Sequence, residues 1–559
     1  MKGRPWAVLL AVLILQGVLV GLIFTPAPHP GGDNAGYVSL AYSLVERGSY
    51  LELWNAGEPP HTKYPPVFPL LLALPMLAGV KGWMGLKAVP LLSTLLAGLF
   101  TFLWVRERGR EKEGLALAAG VTLLVAVSDG VLDYSRWILS DPTFLAFTVG
   151  ALWALERARK KTVGPPRTRW LVAGSALVLL AYFTRSAGLP LAVAVLAWLL
   201  LGRWWRQAVG FGLAFAVPAL LWRLRGTGPG ERAYASEFWL LDPYRPELGR
   251  VGPMDMLARM GENVAAYATR IVPEGVVGLE GAFLPFLGIG LLLLALAGWI
   301  RAVAGKATVA ELFFPLYLAL LLLWPVVWSG DRFALPLLPL LFYYAGTALG
   351  RLVGDRLPSL RTALPGIAFL VLALPALKSW SQEVQGSRSC APLAREEPWA
   401  CYGSTVQEYV AMAGWTARNL PADVSVVTRK PRIFFVTSGV RSQSLPFTTD
   451  AATFLETAGE RGSRYVTLDR WDGLAHHYLT PVIRERPGAF CYVTGVEREG
   501  QVGARLLGIL PEGGGGGAGE GEVRLSLCPP SMVLDEPRDL PPVPPGGIPL
   551  LVWGVRGAR

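Results

Sequence analysis

The sequence predicts a polytopic α-helical membrane protein with a small α/β domain at its C-terminal end. Three observations predict it. Of 559 residues, 52% are hydrophobic and 17% charged, with mean hydropathy +0.41; a soluble globular chain carries about 25% charged residues. The apolar residues come in long uncharged runs rather than being spread over several soluble domains. All four cysteines (Cys390, Cys401, Cys491 and Cys528) fall in the last third.

The runs give eleven candidate spans: 6–24, 86–105, 114–129, 142–156, 170–184, 187–202, 207–222, 282–300, 310–328, 333–350 and 363–379. The first is not a cleaved signal, because it is long and no small-x-small site follows Phe24. The segment 66–80 has three prolines and reads as an interfacial or re-entrant helix. The positive-inside rule supports leaving it out of the count. With eleven spans and the N-terminus inside, the cytoplasmic loops hold 19 basic residues and the short outer loops six. The C-terminus is then outside, in agreement with cysteines oxidised to two disulfides. Cys390–Cys401 and Cys491–Cys528 are the nearest-neighbour pairs among three connectivities, and four free buried thiols are the alternative.

The expected organisation is a transmembrane domain over 1–380, with long outer loops 25–85 and 223–281, and an extracytoplasmic α/β domain over 385–559. The 223–281 loop should be helical around 254–269. In the outer domain Ser404 or Thr405 can cap a helix running to about Leu420. Strands are expected at 424–428, 464–469, 490–496 and 504–510, with helices near 450–459 and 475–485 between them. Gly513–Gly517 reads as a flexible loop and 537–549 as extended Pro-rich chain.

Charge is unevenly placed. From residue 380 onward there are 18 basic and 19 acidic side chains, so the first 379 residues hold 34 and 22. The basic residues lie between apolar runs, a topological pattern rather than a nucleic-acid-binding face. The partner this implies is the bilayer, not nucleic acid.

The outer span ends carry ionisable residues in an expensive place. Asp33 starts an amphipathic helix on which Tyr37, Leu40, Ala41, Leu44 and Val45 recur at helical spacing, and the helix dipole favours its carboxylate. Lys63 lies in HTKYPP, Arg136 and Asp141 in YSRWILSDP, Arg185 in FTRSAG, and Asp331 and Arg332 in SGDRFALPLLP. Each has a bland reading alone: an N-cap, a snorkelling lysine, a helix start. Together they set three carboxylates and four cations along one boundary of one bundle, the chemistry of a phosphate near the headgroups beside a hydroxyl to be activated. Lys63, Arg136, Arg185 and Arg332 would bind the phosphate, and Asp33 or Asp141 would take the proton. Tyr37, His61 and Tyr64 lie beside these motifs as substrate-binding candidates. His29 and His61 flank the Asp33 region and could join a divalent metal site, but no metal ligand set and no cofactor is assigned. No Walker A motif, dinucleotide fingerprint or Ser-His-Asp set is present, and the adjacent His476 and His477 make a poor metal pair.

The order and spacing of GDNAGYVSLAYSLVERGSY, TKYPPVFPLLLALP, YSRWILSDPTFLAFT, YFTRSAGLPLAVA and DRFALPLLPLLFYYAG resemble the GT-C membrane glycosyltransferases. The protein O-mannosyltransferase and lipid A aminoarabinose transferase group is the nearest in pattern. The resemblance implies transfer of a hexosyl or pentosyl group from a polyprenyl-phosphate carrier to an acceptor hydroxyl on a lipid, glycan or protein. Transfer would occur outside the cytoplasmic (inner) membrane, with inversion. By the same resemblance Asp33 activates the acceptor, Lys63 holds the carrier phosphate, Asp141 is the acidic residue at the fourth span and Arg332 the arginine before LPLLP. Thr184-Arg185 stands where relatives often have Thr-Lys. A departure is Asn34, where many relatives carry a second acidic residue. The competing class is a transporter or flippase of a lipid-linked envelope precursor. That class would place its ionisable residues near mid-membrane in repeated halves, and no repeat is visible.

Overall fold

Each of the eleven apolar segments forms helix in the computed structural model, which describes residues 4–109, 111–162, 164–225, 234–354, 363–421, 423–498, 501–510 and 548–549. Among the described residues five helices are long and apolar enough to cross a membrane: Pro5–Leu22, Trp83–Arg108, Trp205–Leu224, Leu284–Lys306 and Asp331–Leu352. Gly114–Val127 and Asp129–Ser135, bent by 57°, make a sixth if taken as one broken span. Other segments are shorter, such as Val309–Leu323 and Ser186–Leu201, or carry charge, as Asp141–Lys160 does with Glu156, Arg157, Arg159 and Lys160 in its last turns. The segment 66–80 contains an 11-residue helix, Val67–Leu77, too short for ~30 Å of hydrocarbon.

The helices share one apolar core, with Phe102, Trp104, Val149, Ala194, Phe313 and Tyr344 all fully or almost fully buried. Beneath it, Arg108 ties Glu311 (2.5 Å) to Glu156 (3.8 Å). The helix Gly32–Arg47 does not lie open on the outer surface. It packs against Val67–Leu77 on one side and against the helix Pro431–Ser438 on the other, burying Asn34 to Ala41. Gly36 permits that approach, because a Cβ there would meet the Arg432 Cδ at 2.8 Å.

The C-terminal part is a six-stranded mixed sheet. Its strands are β1 (Ser425–Thr428), β2 (Arg441–Ser444), β3 (Ser463–Leu468), β4 (Phe490–Arg498), β5 (Gln501–Ile509) and β6 (Ile548–Pro549), in the order β2-β1-β3-β5-β4-β6. β1 is wholly buried and parallel to both β2 and β3, while β5 runs antiparallel to β3 and β4. The chain leaves β1 to one side and returns to its other side for β3. The loops after β1 and β2 therefore stand at the carboxyl ends of parallel strands, the usual ligand-facing edge of such sheets. β2, RSQS, was not expected as a strand, since its polar sequence hides the burial of Ser442 and Gln443. Gly403, not Ser404 or Thr405, takes the N-cap position of the helix Ser404–Asn419.

The sheet meets the outer loops through hydrogen bonds. The Ser442 amide donates to the Trp54 carbonyl (2.6 Å), the Tyr478 hydroxyl to the Tyr244 carbonyl (2.7 Å), and Arg441 pairs with Glu58 (2.9 Å). The 34-residue helix Ala363–Glu396 leads up to it. Its end is stapled by the disulfide Cys390–Cys401, with Cα atoms 5.3 Å apart. Cys491 is buried on β4 and also disulfide-bonded. Cys528, Gly513–Gly517 and most of 537–549 lie outside the described residues.

Candidate functional site

A cavity of about 1140 Å³ lies between the helical part and the carboxyl edge of the sheet. Asp33, Tyr37, Lys63, Tyr64, Arg185 and Arg332 line it. Residues separated by up to 299 positions thus share one space.

At its centre is a chain of alternating charges. Asp33 stands in the first turn of Gly32–Arg47. Arg332, on the short helix Asp331–Ala334, donates to it at 2.7 Å and has its Nε 3.8 Å from Asp141. Arg185 donates to Asp141 at 2.6 Å and to Ser140 at 3.3 Å. The same Ser140 hydroxyl shares a 2.9 Å hydrogen bond with the Tyr37 hydroxyl. Asp141 is only 2% exposed and one of its oxygens, Oδ2, has no hydrogen-bond partner, whereas the Asp33 side chain keeps 28% of its surface open. Asp33 thus faces the cavity, and Asp141 sits behind the two guanidiniums it holds.

A tight loop sets Lys63 and Tyr64. The buried His61 accepts from the Tyr64 amide at Nε2 (2.8 Å), so its Nδ1–H donates to Glu52 (2.8 Å). The Tyr50 hydroxyl donates to the Tyr64 carbonyl at 3.0 Å. Tyr64 then points its hydroxyl at Asp33, donating at 2.6 Å. Lys63 reaches across to Glu237 at 2.9 Å and lies over the Tyr234 ring at 5.0 Å. The short helix Tyr234–Phe238 that carries these partners belongs to the 223–281 loop.

Two candidates stand elsewhere. Arg136 pairs with Asp133 and Glu383, both at 2.7 Å, and lies over the Trp137 ring in a separate cleft lined by Cys390 and Cys401. His61 is fully buried behind Tyr64 and does not line the cavity. His29, the other flanking histidine, lines Arg136's cleft. Among the described residues no group of three or more His, Cys, Asp or Glu side chains could hold a metal ion.

Arg432 was missed by sequence reasoning. It lies 3.7 Å from Asp33, hydrogen-bonds the Tyr64 hydroxyl and stacks over the Tyr64 ring at 4.7 Å. Arg429 and Lys430 line the cavity beside it. The available signal was RKPR directly after the apolar strand VSVVT, where a parallel strand delivers its ligand-facing loop.

Burial alone would raise the Asp33 carboxyl, but Arg332, Arg432 and the Tyr64 hydroxyl outweigh it and hold it well below the usual carboxylate range. Burial raises the Tyr37 and Tyr234 phenols, which therefore act as neutral hydroxyls. Burial and the neighbouring Arg429 push Lys430 down.

No protein-family model matches the sequence, and no curated protein matches it. Solved structures do match in fold. ArnT from Cupriavidus metallidurans bound to undecaprenyl phosphate is 14% identical, with TM-score 0.52 over 91% of this chain and 98% of its own. The Archaeoglobus fulgidus oligosaccharyltransferase tethered to an acceptor peptide is 14% identical, with TM-score 0.51 over 89% and 74%. The same organism's AglB with an inhibitory peptide and a dolichol-phosphate is 14% identical, with TM-score 0.50 over 87% and 73%. The chain therefore shares the fold of these ArnT and oligosaccharyltransferase structures.

Proposed function

We propose that this chain is a glycosyltransferase that moves a hexosyl or pentosyl group from a polyprenyl-phosphate carrier to an acceptor hydroxyl, with inversion. The observation that carries the reading is one cavity in which the carboxylate Asp33 faces Lys63, Arg185 and Arg332. Structures of the same fold with undecaprenyl phosphate or dolichol-phosphate support a carrier of that class, and one with a tethered peptide supports an acceptor entering the same fold. We place the chain in the cytoplasmic membrane with eleven spans, the N-terminus inside and residues 385–559 outside. The acceptor is a lipid, glycan or protein hydroxyl.

The carrier phosphate sits against Lys63 and Arg332. The acceptor O–H gives its proton to Asp33 as its oxygen attacks the anomeric carbon on the side opposite the phosphate. The C–O bond to phosphate breaks, and the polyprenyl phosphate leaves with the electron pair, stabilised by those cations. In the ligand-free arrangement Asp33 is a weak base, because two guanidiniums and a phenol hold it ionised. A phosphate that draws Arg332 away removes the nearer guanidinium, so carrier binding raises the basicity of Asp33 when it is needed. Asp141 has no open face and positions Arg185 and Arg332 rather than taking the proton. Arg136 is part of the frame.

The test is release of polyprenyl phosphate from a panel of polyprenyl-phosphate sugars, with acceptors present. Asp33→Asn should lower sugar-dependent release by about 10²–10⁴-fold in protein that still folds and unfolds cooperatively. Release that survives the substitution, or no release from any donor by folded protein, refutes the reading.

A further inference from the structure

The two oxygens of Asp33 are held by different parts of the molecule. Oδ2 accepts from Arg332 at 2.7 Å, and Arg332 comes from a span end. Oδ1 accepts from the Tyr64 hydroxyl at 2.6 Å. Arg432, on the helix Pro431–Ser438 that follows β1, stands 3.7 Å from that same oxygen and donates to the Tyr64 hydroxyl. The phenol thus accepts from a guanidinium and donates to the carboxylate, a charge-assisted chain that ends on Oδ1.

The two guanidiniums line the same cavity but are not equally free to move. The Arg332 side chain is 24% exposed and the Arg432 side chain 9%. Arg432 lies over the Trp54 and Tyr64 rings, at 5.3 and 4.7 Å, and its stem occupies the space that Gly36 leaves on the Asp33 helix. Tyr64 is fixed from behind, its amide by His61 and its carbonyl by the Tyr50 hydroxyl. An arriving phosphate therefore draws off Arg332 before Arg432. That step uncovers Oδ2 and leaves Oδ1 tied.

We infer that Asp33 takes the acceptor proton on Oδ2, and that Arg432 is a positioning residue that acts through Tyr64, locking Oδ1 so that Oδ2 points at the acceptor hydroxyl. The inference rests on the proposed transferase reading and gives the sheet domain a part in the chemistry. The acceptor O–H bond breaks toward Oδ2 as the acceptor oxygen bonds the anomeric carbon, and the electron pair of the broken C–O bond leaves on the polyprenyl phosphate. Arg432 and Tyr64 exchange no proton in this step.

Arg432 also bears on the pH at which Oδ2 can accept. The charged or titratable groups within reach of Asp33 are Arg332, Arg432 and Lys430, Tyr64 and His29 in the first outer loop, Tyr234 in the second, and Tyr37 on its own helix. Asp141 and Arg185 stand behind Arg332, and the packed helix Val67–Leu77 has no ionisable side chain. Once Arg332 is on the phosphate, Arg432 is the cation still paired with Asp33. Removing it favours the protonated carboxyl, so the acid limb of the rate moves up in pH.

The experiment uses the full-length protein in detergent, with acceptors and the polyprenyl-phosphate sugar that wild type turns over fastest, and reads kcat from about pH 4 to pH 9. Arg432→Gln should lower kcat about tenfold or more and raise the acid limb by about one pH unit or more, with undecaprenyl phosphate affinity unchanged. Arg432→Lys keeps the charge and should return the limb toward its wild-type place, while kcat recovers only in part because an ammonium lacks the planar fork. Tyr64→Phe cuts the same chain without altering the sheet and should also raise the limb. Arg441→Gln is the control: it removes a sheet-docking pair with Glu58 that does not line the cavity, and its limb should stay in place. A limb that stays in place in both Arg432→Gln and Tyr64→Phe, or moves as far in Arg441→Gln, overturns the inference, as does weakened undecaprenyl phosphate binding in Arg432→Gln. Turnover of no donor by folded wild type overturns the transferase reading instead, before any variant is compared.

Discussion

Asp33 and Asp141 show why identical side chains at equivalent-looking span ends differ. Both follow an outer turn and begin a helix, so the sequence makes them equal candidates for a base. Only packing separates them: Arg185 and Arg332 cover Asp141, while Asp33 remains open to the cavity. Lys63 carries a second lesson. Its partner Glu237 lies 174 residues away in a loop with no recognisable pattern, so nothing local announces the pair. Glu237 occupies the ammonium that the carrier phosphate would use. Glu237→Gln should therefore tighten undecaprenyl phosphate binding by several-fold, a surplus of about 1 kcal/mol, measurable by direct titration; equal or weaker binding would show that Glu237 assists the phosphate. Asp469, at the end of β3, tests the electrostatics apart from function. Burial raises it from the ordinary 3.8 to about 6, despite hydrogen bonds from the Trp471 amide and the Thr467 hydroxyl. A carboxyl raised in the folded state contributes stability below its unfolded value and loses it as pH rises through about 6. Asp469→Asn should thus raise the Tm at pH 8, by the equivalent of about 3 kcal/mol at most, and change it little at pH 4. Melting curves at the two pH values check this.

At the scale of elements, apolar runs were legible because a span-length helix needs an uninterrupted apolar stretch, and Leu- and Ala-rich runs such as 284–306 satisfy it. Strands with alternating or fully apolar character, β1 and β3 to β5, were legible for the same reason. What was not legible was polar structure that is buried: β2 with Ser442 and Gln443, and the Arg432 loop, whose charges are satisfied only by partners from other elements. The breaks in the helices follow a different logic. Gly278 ends the helix Val272–Val277 with φ +65°, and a Cβ there would fall 2.2 Å from Asp129 Oδ1 and 2.3 Å from Ser379 Oγ, which hydrogen-bond each other at 2.8 Å. Gly278→Ala should cost about 1–3 kcal/mol, seen as a lower Tm; an unchanged Tm would mean that the turn can relax.

For the whole molecule, the sequence predicts an apolar part and a more polar α/β part joined near residue 380. It does not convey that the cavity lies where they meet. Lys63, Arg185 and Arg332 come from the span ends and Lys430, Arg432 and Arg461 from the sheet, and no spacing rule links the two sets. The helix Ala363–Glu396, whose 34 residues extend about 51 Å, connects the two parts along the chain. In the proposed membrane placement the apolar stretch 363–379 uses about half of that length, and the remainder would stand above the hydrocarbon as a strut under the sheet. Such a strut would work as a ruler, setting the height at which the roof of the cavity sits over the lipid. Lipid thickness would then set the proposed activity: a bilayer too thin or too thick would tilt the strut and slide one wall past the other. Turnover in vesicles whose acyl chains grow from about 14 to 22 carbons should pass through a maximum and fall several-fold at either end, and a flat profile would show that the sheet keeps its place without reference to the membrane.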